Sequence, residues 1–317
     1  MKYLFFDIEC AGVFKNVAKI CAFGYCLTDE RFAILEKEDL LINPQGGFHL
    51  TDRKGQRGLV LPYKYDDFKK FPTFLERAEK IYSLLQDKDT LVCGHAVMND
   101  VKYLNLESKR FSLPSFNFSF VDTQFLYMNV ISDFSKQLGL GAIVEKLGVE
   151  FTPHRAVDDA YATMRVAKAI CEAEKLSLPQ TLKKYKITAG NVQNYEVSVS
   201  TSTAFEKYKK DKEKEKQRRE KLRAEFHIFA DKEKRKRAKT GKMRGKTVCF
   251  SHPTELCSVA KKLLSAAFSL GARVTFKAEE CDIYIRYENE TGLRLQSAIA
   301  RGAKLFSPES FRAYLDD

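Results

Sequence analysis

The sequence predicts an α/β protein of two domains joined by a charged helical segment, and three observations predict it. The 317 residues are about twice a typical domain's length. Apolar runs of strand character alternate with stretches of helical period at both ends of the chain. Between them, residues 204–243 are dominated by charged helix formers. With 44% apolar and 12% aromatic residues, the two ends can each bury a core, which excludes a wholly disordered chain.

In order, residues 3–9 read as a buried strand, and 20–28 and 32–42 as two more, rich in aromatic and branched residues with polar breaks between. Residues 43–72, with Pro44, Gly46, Gly47, Gly55, Gly58, Pro62 and Pro72, read as a long loop, and 74–85 as a helix. Residues 90–93 and 118–121 are short strands, 100–104 lie in a helix, and 138–147 and 157–171 are amphipathic helices. That alternation predicts a mixed sheet. Residues 177–203 turn polar and are expected to connect the first domain, 1–176, to the charged segment. From 204 to 243, Lys, Glu and Arg at helical spacing predict an exposed basic helix; Leu222, Phe226 and Phe229 make one short apolar stripe, too little for a coiled coil. Residues 244–317 alternate again, with strands at 247–250, 273–276 and 283–286, helices at 255–270 and 293–300, and a closing segment at 311–315, a small α/β domain.

The net charge of +12 is local: residues 204–246 hold 19 Lys+Arg against 8 Asp+Glu, and so carry +11 of it. A polyanionic partner is expected there. The eight cysteines form no C-x-x-C and sit mostly in apolar runs, as reduced core thiols do, so no structural zinc site is expected. Asp7 and Glu9 interrupt the first apolar run, and no window approaches 18 uninterrupted apolar residues, so a soluble, cytoplasmic protein without membrane contact is expected.

Asp7 and Glu9, two apart on the first strand, project from one face. Asp100 opens one later helix and Asp159 lies at the start of another. Gathered in one cleft, four acids carry up to four negative charges, a load relieved by raised pKa values or by bound cations. Oxygen donors suit hard cations, so two Mg²⁺ or Mn²⁺ ions are expected, and such a pair supports phosphodiester hydrolysis. His154, in a turn after Pro153, is expected to act as general base. His95 is expected to position backbone or substrate.

These residues resemble a family. Phe6-Asp7-Ile8-Glu9 looks like the first motif of the DEDDh 3′-to-5′ exonucleases, ribonuclease H-like enzymes that include the proofreading subunit of bacterial DNA polymerase III and ribonuclease T. His95 to Asp100 is similar to the second motif, Asp122-Thr123 to the pair that follows it, and His154 to Asp159 to the third, within about residues 1–175. The resemblance implies a ribonuclease H-like mixed-sheet domain in which Asp7, Glu9, Asp100 and Asp159 bind two metals and His154 is the base. Cys10-Ala11 stands where the family usually has a hydroxyl-bearing pair, and Ala96 where Asn is common. Phe14, Met98 and Tyr103 are expected to pack in the core rather than against a nucleotide.

The last block resembles a BRCT domain of the bacterial DNA ligase type. The match rests on Gly245 to Ser251, Leu270 to Val274, Gly292 to Leu295 and Ser307 to Phe311. In phosphate-binding members the matching residues would be Ser251 and Arg294; His252 replaces a frequent Gly, and a phosphate site and a plain protein-docking module both stay open. Lys234, Arg235, Lys236, Arg237 and Lys239, nearly unopposed by acids, are expected to contact nucleic-acid phosphates. Together these readings predict a metal-dependent 3′-to-5′ exonuclease that releases nucleoside 5′-monophosphates from a single-stranded or frayed DNA 3′ end in replication, proofreading or repair. A polymerase or repair complex is the expected partner through the BRCT-like domain. An RNA-trimming exoribonuclease and a catalytically silent DNA-end or protein scaffold are the alternatives.

Overall fold

In the computed structural model, which describes residues 1–49, 60–148 and 152–317, apolar side chains bury both faces of strand β1 (Lys2–Phe14). Leu4, Phe6 and Ile8 enter one cluster, Tyr3 and Phe5 another. A strand buried on both faces is internal to its sheet. On one side, β2 (Val17–Thr28) pairs with it antiparallel and β3 (Ile34–Leu41) continues antiparallel. On the other side, β4 (Thr90–Gly94) and β5 (Phe118–Asp122) run parallel. The expected mixed sheet is present, and β1 runs five residues past Glu9 through two register shifts near Cys10.

The first cluster lies under α1 (Phe74–Leu85) and α2 (Met98–Arg110). Thr73 and Glu76 form a capping box that starts α1 at the predicted residue. The second cluster lies under α3 (Thr123–Val130), α4 (Leu140–Leu147), α5 (Ala156–Glu174) and α6 (Leu178–Lys184). The sheet is therefore covered by helices on both faces. Within the predicted 43–72 loop, Tyr65–Lys70 forms a 3₁₀ turn, while Gly55 and Gly58 fall outside the described residues.

The polar stretch expected as a connector is instead part of the first unit. It holds α6, β6 (Ile187–Thr188), β7 (Gly190–Gln193), β8 (Glu196–Ser198) and β9 (Thr201–Ser202). β7 pairs antiparallel with β5 and β8 with β7, giving a seven-stranded order β3-β2-β1-β4-β5-β7-β8. β6 and β9 pair only with each other, and β7 and β8, whose only apolar side chains are Val192 and Val197, carry no apolar run; the open edge of β5 organises those two. Gly190 permits the approach, since a Cβ there would lie 2.4 Å from Phe120 Cζ.

The chain divides between Lys209 and Lys210, inside α7 (Thr203–Glu233). In the first unit Phe205 packs on Phe125 and Phe134. In the second, a parallel sheet of β10 (Thr247–Phe250), β11 (Arg273–Val274), β12 (Ile283–Ile285) and β13 (Lys304–Phe306), ordered β11-β10-β12-β13, is accompanied by α8 (His252–Glu255), α9 (Ser258–Ser269), α10 (Leu293–Ala300) and α11 (Pro308–Asp316). The expectation of a basic helix exposed throughout and a domain starting at 244 needs correction. Phe226, Ala230 and Met243 are buried in the same core as Phe250, Leu263, Phe268 and Phe311. The short stripe of apolar residues on α7 is what this core uses. Beyond Glu233 the α-helix gives way to a 3₁₀ turn at Lys234–Lys236.

Candidate active site

The alternation that puts Tyr3 and Phe5 under α5 continues up β1, so Asp7 and Glu9 share that face. Across the sheet Asp7 stands opposite Gly24 on β2, and Gly24 opposite Asp39 on β3. The start of α5 rests on that glycine: a Cβ on Gly24 would lie 2.0 Å from both Ala156 C and Val157 N. This close approach carries Asp159 to the acids of β1. One carboxylate oxygen from each of Asp7, Glu9 and Asp159 lies within 4.8 Å of the other two. Asp100, at the start of α2, accepts a hydrogen bond from the Ile8 amide, and its charge acts on both Asp7 and Glu9. The four acids singled out in the sequence are brought together.

His154 occupies the turn before α5, where one was expected after Pro153. Its φ of +65° is in the left-handed region, which His tolerates better than most residues. Its Nδ1 is 3.9 Å from Glu9 Oε1. Partial burial lowers its pKa, disfavouring the charged ring.

The carboxylates behave oppositely. Burial first, then the charges of Asp100, Asp159, Glu9 and Asp39, pushes Asp7 well above the usual carboxylate range. Burial, followed by Asp159, Asp100 and Asp39, raises Glu9 to about 8. Burial raises Asp159 to about 7 despite a hydrogen bond from the His154 amide, and burial likewise lifts Asp100. Asp159 Oδ2 is buried without a hydrogen-bond partner. Crowded oxygen donors with one orphaned atom are what a hard divalent cation would satisfy.

A second layer holds these groups. Asp122 caps α3 through the Gln124 amide and also accepts from the Ala96 amide, both at 2.9 Å. Thr123 Oγ1 donates to Gly94 O at 3.1 Å and meets His95 Nδ1 at 3.1 Å, while His95 Nε2 bonds Leu138 O at 3.1 Å. His95 thus ties backbone segments together, as expected, and burial lowers its pKa to about 4. Ala96, where Asn was the expected type, has φ +52°, the left-handed conformation that Asn adopts readily.

Met98 and Tyr103 pack on the first core as expected. Phe14 does not: it is 50% exposed, with His49 against its ring. In the second unit, Ser251 is fully buried, its hydroxyl capping α8 and bonding Thr254 Oγ1 at 2.8 Å. Arg294 Nη2 lies 3.2 Å from Phe250 O and 3.6 Å from Glu255 Oε1, a buried carboxylate also paired with Arg223 at 2.9 Å. Both groups expected to face a phosphate are engaged inside the fold. Lys234, Arg235, Lys236, Arg237 and Lys239 are exposed, with Lys236 paired to Glu233. Asp39, Tyr63 and Gly24 were not selected from the sequence. Only Gly24 carried a signal, since an isolated glycine within an apolar strand marks a close backbone approach.

Residues 4–167 match the exonuclease family (RNase_T). The chain belongs to that family. This exonuclease is a hydrolase acting on the phosphodiester bonds of nucleic acid, and its oxygen-donor cluster fits the divalent-metal dependence of such enzymes. Among solved structures, a 3′-exonuclease in 3′-end-specific recognition of the histone mRNA stem-loop is 16% identical, covering 64% of this chain and 91% of that one, with a TM-score of 0.48. Exonuclease I of E. coli in complex with a dT13 oligonucleotide is 18% identical, covering 58% of this chain and 43% of that one, with a TM-score of 0.44. The nuclease domain of 3′hExo, a DEDDh family member bound to rAMP, is 17% identical, covering 54% and 91%, with a TM-score of 0.43. This exonuclease spans less than half the length of Exonuclease I. No curated protein sequence matches it significantly. Among the described residues, no helix is long and apolar enough to cross a membrane.

Proposed function

We propose that the chain removes nucleoside 5′-monophosphates from the 3′ end of single-stranded or frayed DNA, with Asp7, Glu9, Asp100 and Asp159 holding two Mg²⁺ or Mn²⁺ ions. When bound, the ions would activate water and neutralise charge developing on the phosphate and the leaving oxygen. His154, half-exposed, takes the proton of the attacking water at Nε2, its Nδ1 being turned toward Glu9. The water oxygen bonds to phosphorus, the bond to the 3′-oxygen breaks, and that oxygen leaves as a hydroxyl after gaining a proton from solvent. The observation that supports this most is the meeting of three carboxylates within 4.8 Å, with Asp100 and His154 beside them.

DNA rather than RNA follows from the BRCT-like resemblance of the second unit, whose small parallel α/β sheet supports that reading. Because Ser251 and Arg294 are engaged internally, the unit acts as a protein-docking module for a polymerase or repair complex rather than as a phosphate receptor. The six buried free thiols support a cytoplasmic site of action. Matched DNA and RNA oligomers, each labelled at the 5′ end, are the test. Mg²⁺-dependent shortening from the 3′ end, faster on DNA and abolished by chelation, is expected; faster loss of RNA would transfer the role to RNA trimming.

The exposed Lys234, Arg235, Lys236, Arg237 and Lys239 are proposed to contact substrate phosphates. Changing all five to Gln is expected to leave turnover on short oligomers intact while weakening binding to long single strands. Each lost contact should flatten the dependence of log K on log salt by about 0.7. A slope equal to that of the unmodified protein would refute the contact.

A further inference from the structure

The first turn of α5 lacks a local cap. Arg155, its flanking residue, offers no side-chain cap, and the leading amides of a helix need partners from elsewhere. The Ala156 amide finds one across the chain: it donates to the Tyr63 hydroxyl at 3.0 Å. Tyr63 in turn donates to Asp39 Oδ2 at 3.0 Å, and Arg155 Nε approaches the same oxygen at 3.5 Å. The Tyr63 ring is steadied by Phe68, edge-on at 5.6 Å. Asp39 occupies the row Asp7, Gly24, Asp39 across three strands, so the helix start sits over Gly24 with a carboxylate on either side. One belongs to the metal-binding cluster; the other is free to hold the helix.

Resting on the catalytic reading of His154 and Asp159, we propose that Asp39 and Tyr63 are positioning residues that clamp the first turn of α5 to the sheet and thereby set where His154 and Asp159 stand. The clamp touches neither substrate nor metal. Its effect is transmitted through the Ala156 amide and the Arg155 guanidinium, which flank the turn carrying His154. Misplacing a reacting group by about 1 Å costs up to about a hundredfold in rate, so a bond this close to the base and the fourth acid reports in turnover rather than in substrate affinity.

The full chain carrying Tyr63→Phe tests this. The expected result is a kcat lower by about ten- to a hundredfold, an unchanged KM for a short oligomer, a higher Mg²⁺ requirement, and faster hydrogen exchange across residues 152–160 in a folded protein. Asp39→Asn, which keeps an acceptor for Tyr63, should retain more activity than Asp39→Leu. Unmodified kcat and exchange in Tyr63→Phe, or equal losses in the two Asp39 variants, would overturn the clamp. An unmodified chain without Mg²⁺-dependent nuclease activity would instead refute the catalytic reading, and the exchange measurement would still decide the clamp.

Discussion

Replacing Asp7 by Asn is expected to abolish nuclease turnover while raising the thermal stability of the metal-free protein. Asp7 is the most crowded of the four acids, with the charges of Asp100, Asp159, Glu9 and Asp39 all acting on it. Losing one of the proposed metal-binding carboxylates removes about 4 kcal/mol of transition-state stabilisation, which corresponds to about a thousandfold in kcat. The same substitution removes a carboxyl that, without metal, burial and its acidic neighbours force to stay protonated, a cost the unfolded chain does not meet. The gain in metal-free stability at pH 8 should be on the order of 1–3 kcal/mol, the scale of an unsatisfied buried group.

The pH dependence follows from the direction of the shifts. Glu9 rises to about 8 and Asp159 to about 7, both above their unfolded values. A carboxyl whose folded pKa is raised stabilises the fold while protonated, and that contribution is lost as pH climbs through the folded value. In chelator, melting temperature should therefore fall between about pH 5 and pH 8.5. Mg²⁺ or Mn²⁺ should offset the fall in the unmodified protein and act much less in Asp7→Asn. Calorimetry across pH, with and without ion, measures both. A metal-free protein whose stability rises over that range would contradict the crowded cluster.

Gly24→Ala is expected to be the most damaging single-methyl change in the first unit. The added carbon would lie 2.0 Å from Ala156 C and Val157 N, and backbone on both sides leaves nothing flexible to yield. Either β2 or the start of α5 must shift. Overpacking of this kind costs about 1–3 kcal/mol, occasionally more, so a lower melting temperature is expected. Activity should fall further than stability, because the displaced turn carries His154 and precedes Asp159. Measuring kcat at a temperature where the variant is fully folded separates the two effects. Unchanged turnover there would show that α5 need not seat on Gly24.

Much of the first unit was legible because its elements are locally determined. Capping by Thr73 and Glu76 starts a helix at Phe74, and the apolar run within residues 3–9 marked a buried strand. The edge strands at 190–198 were not legible, since their polar residues become strands only beside β5. Phe226 likewise read as one of three apolar residues on a charged helix, and its burial depends on a sheet that begins twenty-one residues later, at Thr247. Phe14 went the other way. Its aromatic character suggested a core, yet it lies beyond the bulges of β1 and is left exposed.

By itself the sequence determined the kinds of groups available: two acids on one face of a strand, an acid at the head of each of two helices, and a histidine just before one of them. Those depend on side-chain chemistry and on periodicities of 2 and 3.6 residues, which short stretches of chain impose on their own. Tertiary structure alone decided that the row Asp7, Gly24 and Asp39 receives the start of α5, and that Tyr63 supplies the missing hydrogen bond. Strand register and backbone approach arise between segments distant in the chain, where no local pattern can encode which residue will stand opposite which.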